Sequence, residues 1–200
     1  MSNQSGAEDA AWVTISLPLS AQALHDFTRN GERLLRINPC LEFDRLERTA
    51  AGALSICGRN ESNGQPFDTA VGIVADPNGQ GLALRYGSGI KRETRFDIES
   101  VTNGSVLRIT EVYATPALNE REQRLPEVDR SLLPWAAALR RFLLRRARWG
   151  GVPGYTWLVE RFWLGMRPRE RRIAWLIVWT TLLEFVVFVA VLAVYLAALD

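Results

Sequence analysis

Residues 82–113, LALRYGSGIKRETRFDIESVTNGSVLRITEVY, alternate apolar and polar side chains with a period of two. Leu82, Leu84 and Tyr86 share one side with Thr94, Phe96 and Ile98 and with Leu107, Ile109 and Tyr113. Arg85, Glu93, Arg95, Asp97, Glu99 and Arg108 fall on the other. A half-buried strand requires that period, because successive side chains leave opposite faces of the sheet. Asn103-Gly104 lies between two of the runs and predicts a tight hairpin with positive φ at both central residues. RYGSGIKR at 85–92 contains a G-x-G, but it opens no helix, so it reads as a hairpin rather than a phosphate-binding loop.

The same pattern extends upstream. Val13, Ile15 and Leu17 oppose Trp12, Thr14 and Ser16; Leu54 and Ile56 alternate, as do Thr69, Val71 and Ile73. Asn63-Gly64 and Asn78-Gly79 punctuate these runs, so the sequence predicts an antiparallel meander with one face on a core and the other in water. Between the first strand and Phe43, Ser20 is placed to cap a helix carrying Leu24 and Phe27 that ends at Asn30-Gly31. A second short helix holds Leu34, Leu35 and Ile37 and stops at Pro39. Pro116 to Pro126 reads as a loop, after which Ser131 is the expected N-cap of a long helix whose first turn tolerates Pro134. Leu132, Trp135, Ala136, Leu139, Leu143 and Ala147 form its apolar stripe, expected to lie across the sheet, with Arg140, Arg141, Arg145 and Arg148 on other faces.

Of the 200 residues, 48% are hydrophobic and 23% charged, which suits one globular domain with an appendage and excludes a disordered tail. The net charge of +2 hides a division: residues 1–129 carry −5, residues 130–172 carry +9 and residues 173–200 carry −2. Gly150, Gly151, Pro153 and Gly154 break the chain, and Ile173 to Leu199 then form 27 residues with Glu184 as their one ionisable side chain. At 1.5 Å per residue that is about 40 Å of helix, enough to cross a hydrocarbon core of about 30 Å. Trp175, Trp179 and Tyr195 sit toward its ends, where rings favour the headgroup level. Arg161, Arg167, Arg169, Arg171 and Arg172 precede the segment and only Asp200 follows it. The positive-inside rule therefore places the bulk of the chain in the cytoplasm, with a single pass through the inner membrane and the C-terminus on the far side.

YTWLVERFWLGM at 155–166 reads as a short interfacial helix or as a linker with aromatic anchors, Trp157 and Trp163 among them. Glu184, with Thr180 a turn earlier, is read as hydrogen-bonding in its own helix or to a neighbouring membrane helix, as an isolated protonated carboxyl, or as an ion-handling group. The arginine-rich run at 140–151 is read as contacting anionic lipid or an acidic protein partner rather than nucleic acid. The start, MSNQSGAEDAAW, shows no secretory signal, and residues 1–10 are expected to be disordered.

The order of strand, two short helices, about six antiparallel strands and a long C-terminal helix, with LLRINP at 34–39 where the second helix turns into the second strand, resembles the helix-grip fold of the START-like superfamily, also called SRPBCC or polyketide-cyclase-like. The fold class expected is α+β: a curved antiparallel sheet wrapped on the long helix over 11–149, a linker and basic segment over 150–172, and a transmembrane helix over 173–199. The resemblance implies an apolar cavity between sheet and helix. Val71, Ile73, Leu84, Tyr86, Phe96, Ile98, Ile109, Glu111, Tyr113, Trp135 and Leu139 are its candidate lining, and a lipid, isoprenoid or quinone is its candidate occupant. A dry core needs the same residue types. Glu111 falls among inward residues and needs Arg, Tyr or ligand as partner, or an outlet to solvent.

Chemistry is thinly represented. His25 is the only histidine, Cys40 and Cys57 show no metal spacing and are expected to be reduced, and no acid, base and nucleophile set assembles. Neither catalytic nor metal-binding residues are expected, and a cyclase or hydrolase is the least favoured reading. Lys91 is the only lysine among 24 basic residues, a bias attributed to base composition. The expected function is a membrane-tethered module that binds a hydrophobic molecule; the alternative is an accessory or assembly subunit of a larger membrane complex, such as an oxidoreductase, docked through its apolar helix.

Overall fold

The computed structural model describes residues 9–75, 81–114 and 127–198. Seven strands form one antiparallel sheet: β1 (Asp9–Leu17), β2 (Leu41–Arg48), β3 (Leu54–Asn60), β4 (Gln65–Ala75), β5 (Gly81–Tyr86), β6 (Lys91–Val101) and β7 (Gly104–Tyr113). Their spatial order is β1-β7-β6-β5-β4-β3-β2. The meander is therefore β2 through β7, and β1 joins it as the far edge, Ile15 facing Leu107 across the pair. The crossing from β1 to β2 is made by α1 (Ala21–Thr28) and α2 (Gly31–Ile37). β1 begins at Asp9, so residues 9 and 10 belong to the sheet.

Side-chain alternation places Ile15, Leu17, Leu54, Ile56, Val71, Leu82, Leu84, Phe96, Ile98, Leu107 and Ile109 in one core. Helix α3 (Leu132–Trp149) lies on it and buries Leu132, Trp135, Ala136, Leu139 and Leu143. The stripe ends there; Ala147 is exposed. This is the helix-grip architecture: a curved antiparallel sheet closed around one long helix.

The local capping and turn signals divide in the structure. Ser20 caps α1, its Oγ accepting from Ala23 N–H at 3.2 Å. Asn30 does not end that helix; its Oδ1 accepts from Arg33 N–H at 3.1 Å and starts α2, with Gly31 as the first helical residue. Ser131 makes no side-chain cap: its backbone is helical rather than extended, and its hydroxyl accepts a hydrogen bond from Asn38 Nδ2 at 2.9 Å. Neither Asn63 nor Asn103 takes positive φ; Gly64 (72°) and Gly104 (142°) do. Gly104 is needed for a second reason, since a Cβ there would meet the Leu17 carbonyl oxygen at 2.2 Å. The segment 85–92 is a hairpin, as its sequence indicates. Asn78-Gly79 and Pro116 to Pro126 lie outside the described residues.

After Trp149 the chain does not run free. Residues 150–154 turn it into α4 (Tyr155–Leu158), a π-helical turn follows (Val159–Trp163), and Leu164 inserts into the core at 4% exposure. Helix α5 (Pro168–Ala197) then leaves the body, and it is the one helix among the described residues long and apolar enough to cross a membrane. No part of its apolar window is buried.

Trp135 is fully buried and Leu133, two residues earlier, is 69% exposed. Trp135→Ala should lower unfolding stability by about 3–5 kcal/mol, whereas Leu133→Ala should change it by less than about 0.5 kcal/mol. Thermal unfolding of the full chain in mild detergent, followed by near-UV circular dichroism, checks both.

Candidate functional site: a buried ion cluster at the mouth of the grip

Charged side chains converge where β6 begins, β7 ends and α3 starts. Lys91 faces Tyr113 across the β6–β7 pair, and Thr94 faces Glu111. Strict alternation from Thr94, Phe96 and Ile98 would turn Lys91 outward. A register shift between Lys91 and Glu93 turns it inward instead, the usual effect of one extra residue in a strand. The Lys91 ammonium donates to Glu111 Oε1 and to Asp129 Oδ2, the latter at 2.7 Å. Tyr113 Oη donates to Glu111 Oε2 at 2.6 Å. Asp129 Oδ1 accepts from Asn60 Nδ2 (3.0 Å), Ser62 Oγ (3.1 Å) and Ser131 N–H (2.8 Å). The rings of Tyr86 and Trp135 stand 5.5 and 5.6 Å from the Lys91 nitrogen, within cation–π range.

Two carboxylates and one ammonium leave a formal excess of negative charge, offset by hydroxyl, amide and backbone donors. Burial disfavours the charged form of Lys91, but the oxygens of Tyr86, Glu111, Asp129 and Tyr113 outweigh it and hold the group well above the ordinary lysine range. Burial likewise opposes the charged form of Asp129. The Lys91 charge and the hydrogen bonds from Lys91, Asn60 and Ser131 prevail, and the carboxyl lies well below its ordinary range. Burial pushes the Tyr113 hydroxyl up, and the neighbouring Glu111 pushes it further.

A lysine held in its protonated form by neighbouring oxygens is poorly suited to act as nucleophile or base. Burial also raises the Cys40 thiol, assisted by the charge of Asp129, so it is not activated. Cys40 and Cys57 are free thiols. Among the described residues no group of His, Cys, Asp and Glu has metal-binding geometry. The cluster's chemistry is electrostatic: it pins β6, β7, the β3–β4 turn and the start of α3 to one point.

Glu111 thus finds Tyr113 and a lysine, not solvent. Sequence reading marks Lys91 as the only lysine but gives it no role, and does not mark Asp129. The available signal was composition: one lysine stands among 24 basic residues, and it is the one buried between carboxylates. Of the residues expected to line a cavity, Val71, Leu84, Phe96, Ile109, Trp135 and Leu139 have no exposed surface, and Ile98 has almost none. Space wide enough for a water molecule would leave accessible surface on its walls, so these seven are packed core; Phe96 meets the Trp135 ring edge-on at 5.4 Å. Ile73, Tyr86 and Tyr113 are partly open, as are Phe43 and Phe67, which also pack against the core.

The residues expected at a membrane interface divide. Trp157 and Arg161 are exposed, and Trp163 packs edge-on against Trp175 at 5.7 Å. Arg167 pairs with Glu42 and Asp44, Arg169 with Glu42 and Glu61, and Arg171 donates to the carbonyls of Met166 and Leu164. Arg172 is exposed. Glu160 bridges Arg33 (2.9 Å) and Arg146 (2.7 Å), tying the π-helical turn to α2 and α3. Segment 155–172 is accordingly a docked part of the body rather than a loose linker. Thr180 donates to the Leu176 carbonyl at 2.8 Å, and no hydrogen bond joins it to Glu184.

Among solved structures, the chain is similar to an aromatase/cyclase from Streptomyces, with 14% identity over 72% of this chain and 98% of that one and a TM-score of 0.54. A START superfamily protein from Mycobacterium smegmatis matches with 16% identity over 68% of this chain and 98% of that one, TM-score 0.45. A polyketide-cyclase-like protein from Corynebacterium glutamicum matches with 13% identity, 72% and 97% coverage and TM-score 0.42. The first of these likenesses supports the helix-grip fold, and identity this low speaks to fold alone. No family model and no curated protein matches the chain.

Removing one member of the cluster should be more damaging than removing two. Lys91→Met strands buried carboxylates and should cost about 3–5 kcal/mol, and the double change Lys91→Met with Glu111→Leu should recover part of that loss in the same unfolding measurement. Because folding lowers the Asp129 carboxyl, its contribution is present above its ordinary range and lost as pH falls through the folded value. The stability gap between the natural chain and Asp129→Asn should therefore be constant near neutrality and shrink as pH drops below about 4.

Proposed function

We propose that this protein is a single-pass, membrane-tethered helix-grip module that binds a hydrophobic molecule at the cytoplasmic face. The observation that carries the ligand reading is a partly open inner face. Phe43, Phe67, Ile73 and Tyr86 retain accessible surface beside a core whose other members are closed. Apolar side chains left open on an inward surface are the ordinary lining of a small-molecule site. The tether reading is supported by α5, 30 residues long, whose apolar window has no buried part, with basic residues crowding its first turns and none in its last. Tethering holds such a module beside its ligand's source and raises the effective concentration. A non-catalytic role agrees with a locked lysine and an unactivated Cys40. The fold likeness to an aromatase/cyclase keeps chemistry on an apolar substrate as the outcome a turnover assay would detect.

One observation favours a second reading, an accessory subunit docked through α5. Glu184 lies within the apolar helix with no polar partner among the described residues, as a carboxyl awaiting a neighbouring membrane helix would.

Alkaline carbonate washing of membranes should leave the full chain in the pellet, and release into the wash would remove the tether. Solvent extraction of protein purified in mild detergent, read by mass spectrometry, should yield an apolar compound enriched over a detergent-only control. Ile73→Trp should abolish that enrichment without lowering the yield of folded protein. Co-migration with one defined complex on native gels, lost in Glu184→Leu, would transfer the weight to the subunit reading.

A further inference from the structure

A groove of about 810 Å³ runs along the flank of α3 that carries Ala138, Arg141, Phe142 and Arg145. Its walls are α3, the end of α2, the docked segment after the glycine-rich turn and the first turns of α5. That volume lies in the range of about 300–1,000 Å³ usual for small-molecule sites. The floor is apolar, with Ile37, Phe142, Val159, Leu164 and the edge-packed pair Trp163 and Trp175. The rim is cationic: Arg141, Arg145, Arg171 and Arg172 all line it, and no Asp or Glu does. Glu160 is spent on Arg33 and Arg146, and Glu170 accepts from the Arg167 N–H while its charge acts on Arg171. Arg141, Arg145 and Arg172 have no acidic partner among the described residues, and Arg145 rests over the Trp175 ring at 5.7 Å.

An apolar floor calls for hydrocarbon, and a rim of uncompensated guanidinium groups calls for an anion, phosphate above all, because the planar fork matches its oxygens. One molecule that carries both is an anionic phospholipid. The groove also opens where α5 leaves the body, which in the tethered reading is the level of the cytoplasmic headgroups. We propose that this groove is a binding site for a single anionic phospholipid, its phosphate held by Arg141, Arg145 and Arg172 and its upper hydrocarbon laid against Trp163 and Trp175. The site is separate from the inner face of the grip, and none of the residues expected to line that cavity borders it. The inference rests on the membrane-tethered reading for the source of the lipid.

The test is native mass spectrometry of the full chain released from detergent micelles containing equal amounts of phosphatidylglycerol and phosphatidylcholine. The natural chain should retain one phosphatidylglycerol in preference to phosphatidylcholine. Combined Arg141→Gln, Arg145→Gln and Arg172→Gln should reduce that preference at least about tenfold, since each basic group at a membrane surface contributes to anionic lipid attraction. Combined Arg29→Gln, Arg92→Gln and Arg140→Gln removes the same charge away from the groove and should leave the preference intact. Ala138→Trp fills the groove without touching its charge and should expel the lipid, with unchanged thermal unfolding as the check on folding. Equal retention of the two lipids, or equal loss in both triple variants, overturns the site. Displacement by millimolar inorganic phosphate with no effect of Ala138→Trp assigns the rim to a free anion and also overturns it. Extraction of the chain by carbonate removes the tether independently of any of these results.

Discussion

The indole of Trp135 is the contact on which the rest of the body depends. Its nitrogen donates to the Leu34 carbonyl at 2.9 Å, joining α3 to α2; its ring meets Phe96 edge-on in the middle of the sheet; and its face lies 5.6 Å from the Lys91 ammonium. One side chain thereby touches the long helix, the crossover helices, the sheet and the ion cluster. A large aromatic ring with its single donor satisfied is well suited to this position, since it adds buried apolar area without leaving an unpaired polar atom.

From that point two kinds of order radiate. Toward the sheet, packing around the indole is dry, and Leu54, Val71, Leu84, Phe96, Leu107 and Ile109 are closed. Toward the start of α3, order is ionic. Lys91, Glu111 and Asp129 would be costly one at a time in such a place, and they persist because each charge has an opposite charge and further hydrogen bonds close at hand. The cluster gathers strands far apart in sequence, so it contributes specificity of register as much as stability.

The junction between body and apolar helix is equally specific. Glu160 on Arg33 and Arg146, Leu164 in the core, and Arg167 and Arg169 on the acidic residues of β2 and the β3–β4 turn leave little freedom after residue 154. In the tethered reading the body is held in a set orientation against the bilayer instead of swinging on a hinge. A fixed orientation keeps one groove and one rim of arginines at headgroup depth.

The period-two runs, the cap at Ser20, the apolar stripe of α3 and the unbroken apolar stretch after Ile173 were all legible in the sequence, because each depends on neighbours within a few residues. Local chemistry determined which elements form and which faces are apolar. It did not determine that Lys91 turns inward, since a one-residue bulge reverses the alternation and nothing short-range marks it. Nor did it reveal that Asn30 opens a helix instead of closing one, that most of the expected cavity lining is solid core, or that segment 155–172 folds back onto α3. Those outcomes belong to the tertiary structure. They follow from pairings such as Glu160 with Arg33 and Asp129 with Lys91, between residues separated by 127 and 38 positions, whose energies exist only once the sheet and α3 have brought the partners together.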